Sequence, residues 1–127
     1  MTTNAALRKR QPLRGEIWLT RMAYDPPETK RERPVVVVSV DARNRHEKAM
    51  SVLVVPLSTT IHRDHMTHVF LRTGETGLQE DCVAQCENIV TVAKASLSEP
   101  RQGLRTIMNS RICEMADKVK LAMGCLK

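Results

Sequence analysis

Two short stretches of this 127-residue chain carry groups suited to phosphate chemistry. In "RERPVVVVSVDARN", residues 31–44, Arg31 and Arg33 stand at the mouth of an apolar run, and in "SVLVVPLSTT", residues 51–60, Ser58, Thr59 and Thr60 close another. Arginine presents a fixed fork of donors that matches a phosphate, and a hydroxyl can donate to a phosphoryl oxygen. Together they suit stabilisation of charge on a phosphorane. The same residue types also occur as solvated strand ends and polar turns. Geometry separates the two readings: if the runs pair as strands, Arg33 and Ser58 both lie at sheet ends where loops converge, which is where sites are built.

Histidine supplies a rival set. The stretch "IHRDHMTH" spaces His62, His65 and His68 at intervals of three, and imidazole titrates near neutral pH, where it serves as acid or base. That spacing suits metal ligation from a helix, whereas this segment reads as a loop running into a strand, with no flanking CxxC or HExxH pattern. No metal site and no cofactor is expected, and His65 and His68 are read as loop groups available to a ligand. Cys82 and Cys86, four apart, read as small buried hydrophobes on one face of a strand.

These groups need elements to hold them. Residues 1–13 are polar with a basic cluster and show no period, a flexible basic arm; residues 14–127 form a single domain. "RGEIWLT" alternates like a strand over 15–20. "RMAYDPPETKRE", with two adjacent prolines, is a long exposed loop. "PVVVVSV" and "SVLVVPL" are β-branched runs apolar on both faces, which implies burial on both sides within a barrel, a sandwich or a dimer seam. "DARNRHEKA" is a polar connector, "THVFLRT" a strand ended by "GETG", and "CVAQCENIVTVA" one bent strand or two short ones. From Leu104 through Ile107, Met108, Ile112, Met115 and Val119 to Met123, apolar residues recur at three and four, one amphipathic helix stopping near Gly124. The fold expected is mainly β with a C-terminal helix, a small strongly curved β-barrel.

Composition narrows the partner. With 20 Lys and Arg against 14 Asp and Glu the net charge is +6, an attraction for polyanions. Aromatic residues make up 2% of the chain, so charge rather than base stacking must hold a nucleic acid. No apolar run is long enough to span a membrane, and the four cysteines form no CxxC pair, which fits a reducing cytoplasm.

Five fragments in order, "RGEIWLT", "RPVVVVSVDARN", "VLVVPLSTT", "THV" and "GLQEDCVAQCEN", resemble the MazF/PemK family of bacterial toxins, sequence-specific endoribonucleases of type II toxin-antitoxin systems. The resemblance implies an SH3-like barrel of the MazF/CcdB type and a homodimer. It further implies metal-independent cleavage of single-stranded RNA and neutralisation by a cognate antitoxin. Arg33 matches the arginine that opens the family's "RPV" strand, and Ser58 stands where relatives usually carry threonine, with Thr59 following. Glu87 matches an acidic position and Arg14 a basic one. The RNA-binding candidates are Arg14, Thr59, His65, His68 and, in the charged loop, Glu28, Lys30 and Arg31. Beside Glu87, Gln85 and Asn88 depart from some relatives, and Asn88 is a candidate for contact with a base.

Cutting RNA without a metal needs the ribose 2′-OH as nucleophile, an acceptor for its proton and positive charge for the pentacoordinate phosphorus. Arg33 would supply the charge and Ser58 would orient a non-bridging oxygen. Glu87, if near, would take the 2′ proton or hold Arg33 in place; the competing reading is a salt-bridged structural carboxylate. The competing function on the same architecture is a non-catalytic inhibitor like the gyrase-poisoning CcdB toxins, which has no use for a phosphate-clamping pair.

Overall fold

The two valine-rich runs become the centre of an antiparallel sheet. The computed structural model describes residues 10–29, 31–62 and 64–125. Its strands are β1 (Ile17–Thr20), β2 (Arg33–Val37), β3 (Ser51–Ser58), β4 (His68–Leu71), β5 (Cys82–Gln85) and β6 (Val90–Ala93). Three helices accompany them: α1 (Asp41–Asn44), α2 (Thr73–Thr76) and α3 (Asn109–Ala122). The strand order is β1-β2-β3-β5-β4, with β6 also on β3. Among the described residues the ladder runs from β1 to β4 with no pairing recorded between those two strands, and it is extended beyond β1 by a single bridge between Leu19 and Ser98.

β3 is the organiser. Its eight residues pair with β2 through Val54–Pro56, with β6 through Ser51–Val54 and with β5 through Leu57–Ser58. Such a strand must be apolar on both sides, because the pleat sends alternate side chains to opposite faces and both are covered. On one face Val55 and Leu57 pack with Ile17, Val36, Val69, Leu71 and the α3 residues Ile112 and Met115. On the other, Val52 and Val54 pack with Trp18, Met22, Val35, Val37 and Leu97. Both apolar faces are therefore satisfied within one chain, and the pattern that suggested a dimer seam has an intramolecular cause.

The C-terminal helix begins later than the periodicity suggested. Leu104, Ile107 and Met108 precede it, because the backbone N–H of Arg105 donates to Thr76 and that of Ile107 to Gly15, partners a helix would not permit. Ile107 is still buried in the same core, so the spacing recorded burial and not a helical turn. α3 is locked onto the sheet by Arg111, which donates to Glu75 beside it at 2.9 Å, to Glu114 and to the carbonyl of Phe70. The polar connector holds α1, whose Asn44 is buried and bonded to Ser39 through both ends of its amide. "CVAQCENIVTVA" is two strands split by a turn at Cys86–Asn88. Residues 1–9 of the expected arm lie outside the described residues. Of the remainder, Arg10 pairs with Glu16 at 2.9 Å and the Leu13 N–H donates to the same carboxylate, so 10–13 lie against the domain. No helix among the described residues is long and apolar enough to cross a membrane.

Cys82 and Cys86 are buried and burial pushes their thiols up to about 11 and about 12, while Cys113 and Cys125 are exposed. A disulfide-exchange reagent at neutral pH therefore titrates two thiols in the native protein and four in denaturant. Met115→Ala, which empties a site 1% exposed in the larger core, lowers unfolding free energy by about 2–5 kcal/mol in urea titrations.

Candidate active site

The pairing of β2 with β3 answers the geometric question. Val35 lies opposite Pro56 and Val36 opposite Val55, so continuing the register by two residues sets Arg33 opposite Ser58. Residues paired across strands share a face. Both side chains line one recess of about 170 Å³, together with Arg31, Pro34, Thr59 and Thr60. Its polar groups are cations and hydroxyls, a donor set made for an anion. The Ser58 oxygen accepts the Thr60 backbone N–H at 3.1 Å, a polar turn that fixes the side chain and leaves the hydroxyl proton free to donate.

Arg33 is held by a residue the sequence reading passed over. Asp25, in the loop before β2, accepts from its Nε at 2.7 Å and from its second nitrogen at 2.9 Å, a two-pronged bond. This uses two of the five guanidinium N–H donors and leaves three for a ligand. The hydrogen bonds to Asp25 raise the Arg33 pKa, and the same contact holds the Asp25 carboxyl below its ordinary value. Tyr24 lies beneath, its ring centre 5.6 Å from the guanidinium carbon, and burial raises its pKa, so the phenol stays a neutral donor. The signal was present in "YDPP": an acid ahead of two prolines that stiffen the loop returning to β2.

Glu87 does not hold Arg33. It stands on the turn after β5, where Thr67 donates to one carboxylate oxygen at 2.8 Å and His68 Nε2 lies 3.1 Å from the other. Burial raises its pKa, but the bonds from Thr67 and His68 outweigh that and the net shift is downward. Tyr24 stands between the two groups: it lines a cavity with Glu87 and Asn88 on one side and lies under Arg33 on the other. His68 begins β4, and the row Ser58–Val83–Phe70 across β3, β5 and β4 carries Gln85 and His68 on the same face, two residues along. From strand spacing and rise, Ser58 and His68 are roughly 12 Å apart along this surface.

The other candidates divide between this surface and elsewhere. Arg31 and Thr59 line the Arg33 recess, and His65 and Asn88 flank Glu87. Glu28 is exposed on the turn Pro27–Thr29 of the same loop as Asp25, and Lys30 lies outside the described residues. Arg14 is not brought to the site. The adjacent Gly15 N–H donates to Val37 at the far end of β2, roughly 13 Å of strand from Arg33, and the Arg14 guanidinium donates to Asn109 at the start of α3, a structural tie.

An antiparallel sheet thus carries a recess lined by cations and hydroxyls between two strand ends, with an acid and imidazoles farther along the same surface. The profile of the family described as PemK-like, MazF-like toxin of type II toxin-antitoxin system matches residues 13–123. The endoribonuclease MazF9 of Mycobacterium tuberculosis is 32% identical over 114 residues, covering 85% of this chain and 92% of that protein. Among solved structures, the M. tuberculosis toxin MazF-mt6 superimposes with a TM-score of 0.67 at 21% identity, over 86% of this chain and 96% of that one. A mycobacterial endoribonuclease in complex with its cognate antitoxin does so with a TM-score of 0.65 at 25% identity, over 89% and 95%. The chain belongs to the PemK-like, MazF-like toxin family of type II toxin-antitoxin systems.

The Arg33–Asp25 link is testable without substrate. Because the folded Asp25 pKa lies below the ordinary 3.8, the link contributes stability above that value and loses it as pH falls through the lower, folded one. NMR of the arginine Nε–H groups shows one slowly exchanging Arg33 proton at neutral pH, absent in Asp25→Asn and fading in the parent only in strong acid. Rapid exchange at neutral pH in the parent overturns the assignment.

Proposed function

We propose that the chain is an endoribonuclease toxin that cuts single-stranded RNA, messenger RNA included, at particular sequences by attack of the ribose 2′-OH. The observation that carries this reading is the convergence of Arg33 and Ser58 on one recess. A phosphodiester seated there meets the three remaining Arg33 donors and the Ser58 proton, and both act more strongly as charge grows on the non-bridging oxygens. Asp25 fixes the fork beforehand, so orientation is not lost at the moment of reaction. Glu87, ionised by its hydrogen bonds, is in this reading the acceptor of the 2′ proton. The products are a 2′,3′-cyclic phosphate and a 5′-OH end. A recess lined by cations and hydroxyls offers no anionic ligand to a divalent ion, so the developing charge is met by Arg33 and cleavage proceeds without metal. Around the site, Glu28, Lys30, Arg31, Thr59, His65, His68 and Asn88 form the RNA path.

The assembly belongs to the same reading. The sheet bends about β3 into an SH3-like barrel, the toxin acts as a homodimer, and a cognate antitoxin neutralises it, as supported by the relative solved with its own antitoxin. A non-catalytic topoisomerase inhibitor on this fold leaves the Arg33–Ser58 recess without a task.

The test is cleavage of a long RNA with and without EDTA, followed by mass spectrometry of the fragment ends. Activity survives EDTA and the ends are cyclic phosphate and 5′-OH; 5′-phosphate ends would sink the mechanism. Arg33→Ala lowers turnover at least 100-fold with folding intact, Arg33→Lys recovers little because an ammonium lacks the planar fork, and Ser58→Thr retains activity that Ser58→Ala loses. An oligonucleotide with one 2′-deoxy sugar at the cut binds and resists. The pH profile identifies the base. With the Glu87 pKa below its ordinary 4.5, the rate stays on its plateau down to about that pH and falls only beneath it. An acid limb above 4.5 transfers the role away from Glu87.

A further inference from the structure

The fold gathers three ligating side chains that are scattered in the sequence. His65 and His68 stand three apart at the entry to β4, a spacing that by itself suits no metal site on a loop, and Glu87 reaches them from the turn after β5. One ligating atom from each lies within 4.8 Å of the other two. Four-coordinate nitrogen and oxygen ligands about 2.1 Å from an ion lie about 3.4 Å apart, so a contraction of roughly 1.4 Å suffices. Thr67 donates to Glu87 at 2.8 Å and its oxygen lies 3.1 Å from His65 Nδ1, which ties two ligands together from behind, the task of an outer-shell residue.

The two imidazoles differ in how they are held: the Nε2 of His68 faces Glu87 at 3.1 Å. The His68 side chain is 5% exposed, yet its Nδ1 is, among the described residues, the buried side-chain polar atom left without a hydrogen-bond partner. Its ring lies parallel to that of His65 at 3.7 Å, with 3° between the planes. Two parallel rings cannot both aim nitrogens at one ion, so binding requires the exposed His65 to turn out of the stack. His68 and Glu87 are already in place. Beyond them opens a cavity of about 750 Å³ lined also by Asp64 and Gln85, large enough for an ion with its water.

We infer that His65, His68 and Glu87 form a binding site for a borderline divalent transition-metal ion such as Zn²⁺, separate from the Arg33–Ser58 recess. Two imidazoles and one carboxylate are the donor set that favours Zn²⁺, Co²⁺ or Ni²⁺ over Mg²⁺ or Ca²⁺, and the fourth position is left to water. The ion takes the Glu87 carboxylate away from RNA, so it acts as an inhibitor of cleavage; this last consequence alone rests on the catalytic reading above.

The experiment titrates Zn²⁺ and Co²⁺ without RNA into the Cys113→Ser/Cys125→Ser protein, whose exposed thiols no longer compete. One ion binds per chain, the Co²⁺ spectrum shows four-coordinate nitrogen and oxygen ligation without thiolate charge transfer, and Mg²⁺ does not displace it. His65→Ala, exposed and safe for folding, and Glu87→Gln, matched in shape, each weaken binding at least tenfold. Unchanged affinity in both variants, or no binding at tens of micromolar, overturns the site. If Zn²⁺ binds as described yet cleavage is unaffected, the site stands and Glu87 is not the base.

Discussion

Everything in this molecule hangs on β3 being buried on both faces. A strand covered on one side alternates apolar and polar residues, whereas "SVLVVPLS" does not, and the cost of exposing it forces three other strands and two separate cores to form around it. The hydrogen bonds follow the burial. β3 turns from one pair of partners to the next along its length, and the sheet bends about it. The position of Ser58 is a by-product: it is the last residue of the strand, where the core stops and polar side chains become affordable.

The same register explains why Arg33 is usable. A guanidinium at the start of a strand normally samples solvent, and a mobile cation stabilises a transition state poorly because orienting it costs entropy at each turnover. Here the loop returning to β2 carries Asp25 back under the arginine, and Tyr24 supports its plane. The Asp25 carboxylate reduces the local positive charge, yet it fixes the fork and leaves three donors for a ligand. The balance favours order over raw charge, and the remaining attraction for RNA comes from the net +6 of the whole chain.

In the readings proposed above, Glu87, His65 and His68 form one cluster that serves two ligands. The hydrogen bonds that keep Glu87 ionised, from Thr67 and His68, are also those that align it with two imidazoles. In those readings that carboxylate beside two imidazoles either accepts a ribose proton or holds a transition-metal ion. Which occurs depends on what enters the open side first. A strand-borne His68 and a turn-borne Glu87 are fixed, while His65 is exposed on the preceding loop, so the part that must move is the part least constrained.

The sequence alone determined the elements whose signal is local. The valine runs, the paired prolines of the loop and the β-branched spacing of the last strands led to five or six strands and a terminal helix, and the order of the motif fragments led to the family. What tertiary structure decided was every relation between distant residues. Helix α3 starts at Asn109 because the N–H groups of Arg105 and Ile107 are claimed by Thr76 and Gly15, and periodicity cannot see a hydrogen bond to a residue ninety places away. Asp25, not Glu87, holds Arg33, because a loop's return path is set by where its two strands pair. Arg14 is drawn away to Asn109 by the same register that brings Ser58 to Arg33. His68 and Glu87, nineteen residues apart, meet only because β4 and β5 are neighbours in the sheet. Local patterns report what a residue would bury; only the completed pairing reports what it touches.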